Sequence, residues 1–369
     1  MKRKKIAIVS DVMMSIGGAE MVVMKLMEMY PAADFYTLFI SPKALKGIEE
    51  RFPKINVRTS IFQRIIKGDN VSKYVSIIKL ISWMYWELLD LSRYDLVISS
   101  SHSFMSKNVK KGKGAKHLSY IHTPPRYLYD EFNEIGWIKT KPWSLFFWPW
   151  KKILRYVDWM GAKRPDVMMA NSVNVAKRIE KYYGRVAVVV YPPVGGNFGV
   201  RKGSKKDNYF VCLSRLVRQK GIDLAVSTCS FYKIPLIVVG KGGEISRLRN
   251  MADTCVEFVE ECDDNLKFKI LANAKALIYT SKEEDFGMVP IEALKLGTPV
   301  IAYMSGGVVE SVVDGVNGIL YKEFNKVSLY EAIKKFNKKK ISRQTCISSV
   351  RKFSDKVFEK KIRDYVDNE

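Results

Sequence analysis

The stretch ALIYTSKEEDFGMVPIEALKLGTPVIAYMS, residues 276–305, decides the fold class. The apolar run ALIYTS (276–281) ends in a polar turn, a helical pattern follows from Val289 to Leu296, and Gly-Thr-Pro leads into a second apolar run, PVIAYMS (299–305). A strand, a helix and a strand joined by short connections form a βαβ unit, whose parallel strands are covered on both faces and so read as continuous apolar runs. The turn carries more than the unit requires. Glu283, Glu284 and Asp285 precede Phe286-Gly287, and Glu292 lies one turn inside the helix. Acids near a helix start are stabilising in themselves. That role covers Glu283 and Asp285 and leaves Glu292 and the Phe-Gly pair unexplained.

The same alternation runs along the whole chain. In the first half the strand-like runs are 5–11, 34–40, 94–101, 115–123, 167–172 and 186–193, with a helical pattern at 19–30 among the segments between them. In the second half they are 209–214, 235–240, 256–261, 276–281, 299–305 and 318–322, with a helical pattern at 263–274. Two such series predict two doubly wound, Rossmann-like α/β domains. The boundary is expected at YPPVGGNFG (191–199), where prolines and glycines stop both helix and strand. The expected domains are 1–194 and 195–349, with 350–369 a C-terminal helix that crosses back to the first domain.

A length of 369 residues also favours two domains. MKRKK runs directly into IAIVSD, with no signal-peptide pattern, which predicts a cytoplasmic chain. The five cysteines form no CxxC pair and read as reduced thiols. The net charge of +24 is uneven: residues 1–194 carry 32 Lys/Arg against 16 Asp/Glu, a net of +16. Such a field attracts a polyanion, either an anionic lipid surface or a nucleic acid. A basic surface that is merely solvated is the plain alternative. The nucleic-acid reading lacks a basic recognition helix or an aromatic RNA motif.

Two regions interrupt the alternation. Residues 74–91 form an apolar helix broken by Lys79 and Glu87, so it is not a membrane span. Residues 139–160 mix Trp143, Trp148, Trp150 and Trp159 with Lys and Arg, which suits a bilayer interface or a core helix pair with a basic rim.

Three places carry groups suited to a phosphorylated sugar. Gly17 and Gly18 directly precede a helix, whose free N–H groups suit a phosphate or a hydroxyl; a simple helix-start turn is the alternative. Arg215 and Lys220, in LSRLVRQKGID (213–223), leave the carboxyl end of a strand, where open parallel sheets bind ligands. An Arg fork and a Lys point charge suit a diphosphate. Gly287 permits close backbone approach and Met288 opens a helix. The carboxylates of Glu284 and Glu292 accept hydroxyls.

Together these motifs resemble glycosyltransferase family 4, the retaining nucleotide-sugar transferases of GT-B fold. The signature is a Glu followed eight residues later by another, with Phe-Gly two and three residues after the first, as Glu284, Phe286, Gly287 and Glu292 stand here. GGAE (17–20), the His122 of YIHTPPRYLYD, the PPV linker, SRLVRQKG and GGVVES (306–311) occur in the family's order. The resemblance implies two Rossmann-like domains facing across a cleft. It implies that Arg215 and Lys220 hold the donor diphosphate, and that Glu292 binds the ribose. Glu284 and the backbone of Phe286, Gly287, Met288 and Val289 would hold the transferred sugar and the distal phosphate. His122 would lie near the reacting carbon, and Gly17 and Gly18 would close on the donor. His122, Arg215, Lys220 and Glu284 are thus the expected catalytic set. No two aspartates are separated by one residue, so no metal and no other cofactor is expected.

EEDFGMVPIEA and HTPPRYLYDEF bring the likeness closer to bacterial O-antigen mannosyltransferases. That implies GDP-mannose as donor, a polyprenyl-diphosphate-linked oligosaccharide as acceptor, and a peripheral position on an anionic inner-membrane surface, with no nucleic acid as partner. A UDP-sugar-dependent glucosyl or N-acetylglucosaminyl transferase of the same fold is the nearest rival.

Overall fold

The computed structural model describes residues 4–14, 17–65, 71–129, 143–195 and 207–367. These residues form two compact units, Met1–Pro193 with Lys356–Glu369, and Val194–Asp355.

The first unit is built on strands β1 (Ile6–Met13), β2 (Asp34–Ile40), β3 (Asn56–Thr59), β4 (Asp90–Leu91), β5 (Leu96–Ser101), β6 (Lys110–Lys111), β7 (Lys116–Ile121), β8 (Val167–Ala170) and β9 (Val188–Val189). Seven of them form a parallel sheet in the order β3-β2-β1-β5-β7-β8-β9, while β4 and β6 pair separately. Its helices are α1 (Ala19–Met29), α2 (Pro42–Arg51), α3 (Ile61–Ile65), α4 (Val71–Leu88), α5 (Trp143–Ala162) and α6 (Val173–Tyr183). Successive side chains on a strand point to opposite faces. Accordingly Ile8, Phe35, Leu96 and Ile98 pack into one core, and Ala7, Val9, Leu38 and Val97 into another that includes Ile78 and Trp86 of α4 and Leu154 of α5. Every residue of β5 is buried, as a parallel strand covered on both faces requires.

The second unit carries β10 (Phe210–Leu213), β11 (Leu236–Val239), β12 (Val256–Val259), β13 (Leu277–Tyr279), β14 (Val300–Tyr303) and β15 (Gly318–Tyr321). They form one parallel sheet in the order β12-β11-β10-β13-β14-β15. The helices are α7 (Ile222–Phe231), α8 (Ile245–Met251), α9 (Asp264–Asn273), α10 (Met288–Lys295), α11 (Lys326–Lys338) and α12 (Arg343–Ser349). Side chains of Asp263, Asn325 and Ser342 accept the N–H three residues on and so cap α9, α11 and α12, each contributing about 1 kcal/mol.

The final helix, α13 (Asp355–Asp367), buries Phe358, Ile362 and Val366 in the core of the first unit. Lys361 Nζ donates to the Val189 carbonyl at 2.9 Å, and Lys25 Nζ pairs with Glu359 at 2.5 Å. The strand expected over 186–193 is reduced to Val188–Val189, because Pro192 and Pro193 have no N–H to donate to a ladder.

Candidate functional site

In the second sheet the order reverses direction between β10 and β13, and ligands of open α/β sheets bind at such a switch point, beyond the carboxyl ends of the strands. The chain leaving β10 carries Arg215 and Lys220, and the chain leaving β13 carries Glu284, Phe286 and Gly287. Topology alone therefore brings the two sequence motifs together.

Lys220 Nζ lies 2.5 Å from Glu284 Oε2. The same oxygen accepts the Tyr279 hydroxyl at 2.5 Å and the Ser281 hydroxyl at 3.0 Å. Burial pushes the Glu284 carboxyl pKa up, but the Lys220 charge and the three hydrogen bonds outweigh it, and the net position is below the usual carboxylate value. Tyr279 is held well above its ordinary value by burial and by the adjacent Glu284. Tyr279 and Ser281 were not among the expected site residues. Their only sequence signal is that they end the strand five and three residues before Glu284.

Arg215 is exposed and, among the described residues, has no side-chain partner. It stands beside a loop that closes on it from β11: Leu216 N–H donates to Lys241 O at 2.8 Å, and Glu244 N–H to Leu216 O at 3.1 Å. The run GKGGE (240–244) thus belongs to the same strand-end cluster, which the sequence reading did not single out.

Gly287 caps α10 with φ 86, a left-handed conformation that favours glycine. The first N–H groups of α10 consequently open toward the strand ends. Phe286 is buried edge-to-face on Phe353, with centroids 5.5 Å apart. Its ring is therefore an anchor, and only its backbone remains for a ligand. Met288 and Val289 are half-buried in the first turn.

Gly306 and Gly307 support the acidic loop from behind. Gly307 N–H donates to Glu284 O at 2.8 Å, and a Cβ on Gly307 would lie 2.4 Å from Asp285 O. GGVVES is thus the backing of EEDFG.

Glu292 sits in the second turn of α10, with Lys267 Nζ of α9 3.9 Å from its Oε2. Burial raises the Glu292 pKa, Lys267 opposes the shift, and Asp264 adds to it.

In the first unit the sheet order reverses between β1 and β5. Gly17 and Gly18 follow β1, and Gly18 is the residue before α1. Across the switch point, the loop after β5 is fixed by the buried Asp11, which accepts the N–H groups of His102 (2.6 Å), Phe104 (2.9 Å) and Ser106 (2.8 Å). His122 directly follows β7, buried, with Nε2 2.9 Å from the Ser100 hydroxyl. Burial, with a smaller contribution from His102, pushes the His122 pKa down to about 3. The imidazole is neutral at physiological pH and acts as a hydrogen-bonding group.

Residues 16–195 match the family described as Glycosyltransferase Family 4, and residues 197–353 match Glycosyl transferases group 1. An uncharacterised glycosyltransferase of Methanocaldococcus jannaschii is 24% identical over 206 residues, 55% of this chain and 58% of that one. The Homo sapiens alpha-1,3/1,6-mannosyltransferase ALG2 is 29% identical over 195 residues, 47% of this chain and 46% of that one. The chain thus spans about half the length of these curated relatives. The crystal structure of Anabaena HepE in complex with UDP and glucose superposes over 100% of both chains, with a TM-score of 0.72 at 18% identity, which shows the fold. With both halves matched in order by family models, the chain belongs to glycosyltransferase family 4.

Proposed function

We propose that this chain transfers mannose from GDP-mannose to a lipid-linked oligosaccharide, in the manner of O-antigen biosynthesis, retaining the anomeric configuration and needing no metal. The observation that carries the reading is the convergence of Arg215, Lys220, Glu284 and the N-terminus of α10 at one switch point. Breaking the bond between the sugar C1 and the phosphate oxygen builds positive charge on the sugar and negative charge on the departing diphosphate. Two cations and a helix start aimed at that diphosphate stabilise it electrostatically. The acceptor hydroxyl forms the new bond to C1 on the face the diphosphate leaves, and its proton passes to the departing diphosphate. Glu284, Gly287, Met288 and Val289 hold the sugar and distal phosphate, and Glu292 accepts the ribose hydroxyls. His122, as a neutral imidazole, contacts the sugar beside C1, and Gly17 and Gly18 approach the donor from the first unit.

Mannose is favoured by the resemblance of EEDFGMVPIEA and by the mannosyltransferase relative. The proposed acceptor is a polyprenyl-diphosphate-linked oligosaccharide, and the basic first half supports a peripheral position on the anionic cytoplasmic face of a membrane. None of the described helices is long and apolar enough to cross a bilayer. A second reading, a UDP-hexose donor, is favoured by the similarity to HepE, which was crystallised with UDP and glucose. The test is transfer of radiolabel from GDP-mannose, UDP-glucose or UDP-N-acetylglucosamine to a polyprenyl-diphosphate oligosaccharide in the absence of divalent metal. Label from GDP-mannose in the lipid product supports the first reading. Label from a UDP-sugar alone replaces it with the second, and no label from any donor overturns both.

A further inference from the structure

Helices α4 and α5 cover one face of the first sheet. Ile78 and Trp86 of α4 and Leu154 of α5 enter the same core, and Glu87 of α4 pairs with Arg164, just beyond α5, at 2.6 Å. Their outer faces are unlike ordinary solvent-facing helix surfaces. Among the described side chains of α4, Tyr74, Ile77, Met84 and Leu88 are exposed, Ile77 by 53% and Leu88 by 82%, and Ile81 between them is half-buried. Positions 74, 77, 81, 84 and 88 repeat at three and four residues, so they form a single apolar seam along the helix.

The neighbouring α5 exposes Trp148 (59%), Ile153, Tyr156 (62%) and Met160. Lysines sit on its indoles: Lys152 Nζ is 3.7 Å from the Trp148 ring centroid, and Lys163 Nζ is 3.4 Å from that of Trp159. The single acid of α5, Asp158, is buried in an ion pair with Lys107. The single acid of α4, Glu87, is spent on Arg164 and on Lys110 at 3.0 Å. Among the described residues this face therefore offers apolar groups, indole rings and cations, with the acids of α4 and α5 neutralised.

An apolar seam can be covered by a second copy of the chain or by lipid, and charge separates the two. A second copy would bring lysines against lysines, whereas an anionic bilayer surface is complementary. Indole and tyrosine rings with interleaved lysines suit the headgroup level, and an apolar stripe of this length suits shallow insertion.

We propose that the α4–α5 face docks on an anionic bilayer, with the α4 seam as the inserted element and the α5 lysines contacting headgroup phosphates. This rests on the membrane reading above and specifies which surface carries it. It also joins the surface to the loop beside His122. Trp86 Nε1 and Ser82 Oγ on the inner side of α4 both donate to the Phe104 carbonyl, at 2.6 Å and 3.2 Å, within the loop held by Asp11.

The test is sedimentation of the full chain with vesicles of equal parts phosphatidylglycerol and phosphatidylcholine. The wild type is compared with Ile77→Glu/Leu88→Glu and with Lys152→Glu/Lys163→Glu. All four positions are exposed, and an unchanged thermal midpoint confirms that the variants fold. The α4 variant should bind at least about tenfold more weakly, from the lost insertion of two aliphatic side chains. The α5 variant should lose binding and most of its salt sensitivity. Full binding by the α4 variant with loss in the α5 variant keeps the membrane reading and overturns the inserted seam. A wild type that ignores these vesicles overturns both. A wild-type dimer in solution that Ile77→Glu/Leu88→Glu converts to monomer assigns the seam to a second copy and also overturns the proposal.

Discussion

Lys220 Nζ and the Tyr279 hydroxyl each lie 2.5 Å from the same oxygen of Glu284, Oε2. The cation proposed to hold the diphosphate is thus paired with the acid proposed to hold the sugar. A donor entering the proposed site would join this existing network. Glu284 has its pKa below the ordinary value in the folded state, so its ionisation stabilises the fold above the unfolded carboxylate pKa. That contribution is lost as pH falls through the lowered value. Replacing Lys220 by Met removes the compensation of a largely buried carboxylate and should cost about 2 kcal/mol of stability at neutral pH. In a Glu284→Gln protein the acid-dependent part should disappear, so its stability should vary less than that of the wild type below about pH 5. Denaturant titrations at several pH values check both.

Tyr279→Phe isolates the hydroxyl contribution. The expected loss is about 2 kcal/mol of stability, from one hydrogen bond to a charged acceptor, with a further fall in kcat as Glu284 loses a fixed orientation. A kcat equal to wild type would remove Tyr279 from the positioning role.

Glu292 should show the opposite balance. Burial raises its pKa, so its ionised form costs stability, and the cost appears as pH rises through the interval between the unfolded and folded values. Glu292→Gln should therefore leave the free protein as stable as wild type or up to about 1 kcal/mol more stable at neutral pH. The same change should weaken nucleoside-diphosphate binding about tenfold, which is about 1.4 kcal/mol. Calorimetric melting and ligand titration on one preparation read both.

His122, with its pKa pushed down to about 3, should stay uncharged across the working range. The imidazole carbon-proton NMR shift of His122 should stay constant from about pH 8 to about pH 5, and any limb of the pH–rate profile in that interval should survive His122→Asn. A titration of His122 near its unperturbed value would contradict the buried, neutral imidazole.

Gly307→Ala tests the support of the acidic loop. A methyl group there would stand 2.4 Å from Asp285 O and 2.6 Å from Phe286 Cα, both backbone atoms that do not swing aside. The expected cost is about 2 kcal/mol or more, accompanied by weaker donor binding as Glu284 moves.

Both sheets were legible in the sequence because buried parallel strands read as apolar runs, from KIAIVSD to GILYK. What escaped lies at edges. Asn56–Thr59 is largely exposed at the end of the first sheet, and its sequence, NVRT, has no apolar run to betray it. At the candidate site, spacing and motif singled out Glu284, Glu292, Arg215 and Lys220 for the proposed roles. The direct bond between Lys220 and Glu284 was not, because residues 64 positions apart meet only through the strand order. Phe286 was read within a donor-binding run, and nothing local indicated that its ring would be buried on Phe353.

Arg215 offers the cleanest test of the proposed donor-diphosphate site at the switch point between β10 and β13. Its side chain is exposed and makes no side-chain bond among the described residues, so Arg215→Ala should leave the thermal midpoint unchanged. The measurement is calorimetric titration of GDP-mannose, without divalent metal, into wild type and Arg215→Ala. Binding by the wild type and a loss of at least about tenfold in the variant, from one charge-assisted contact, is the predicted result. Equal affinities in the two proteins would contradict the assignment of the site.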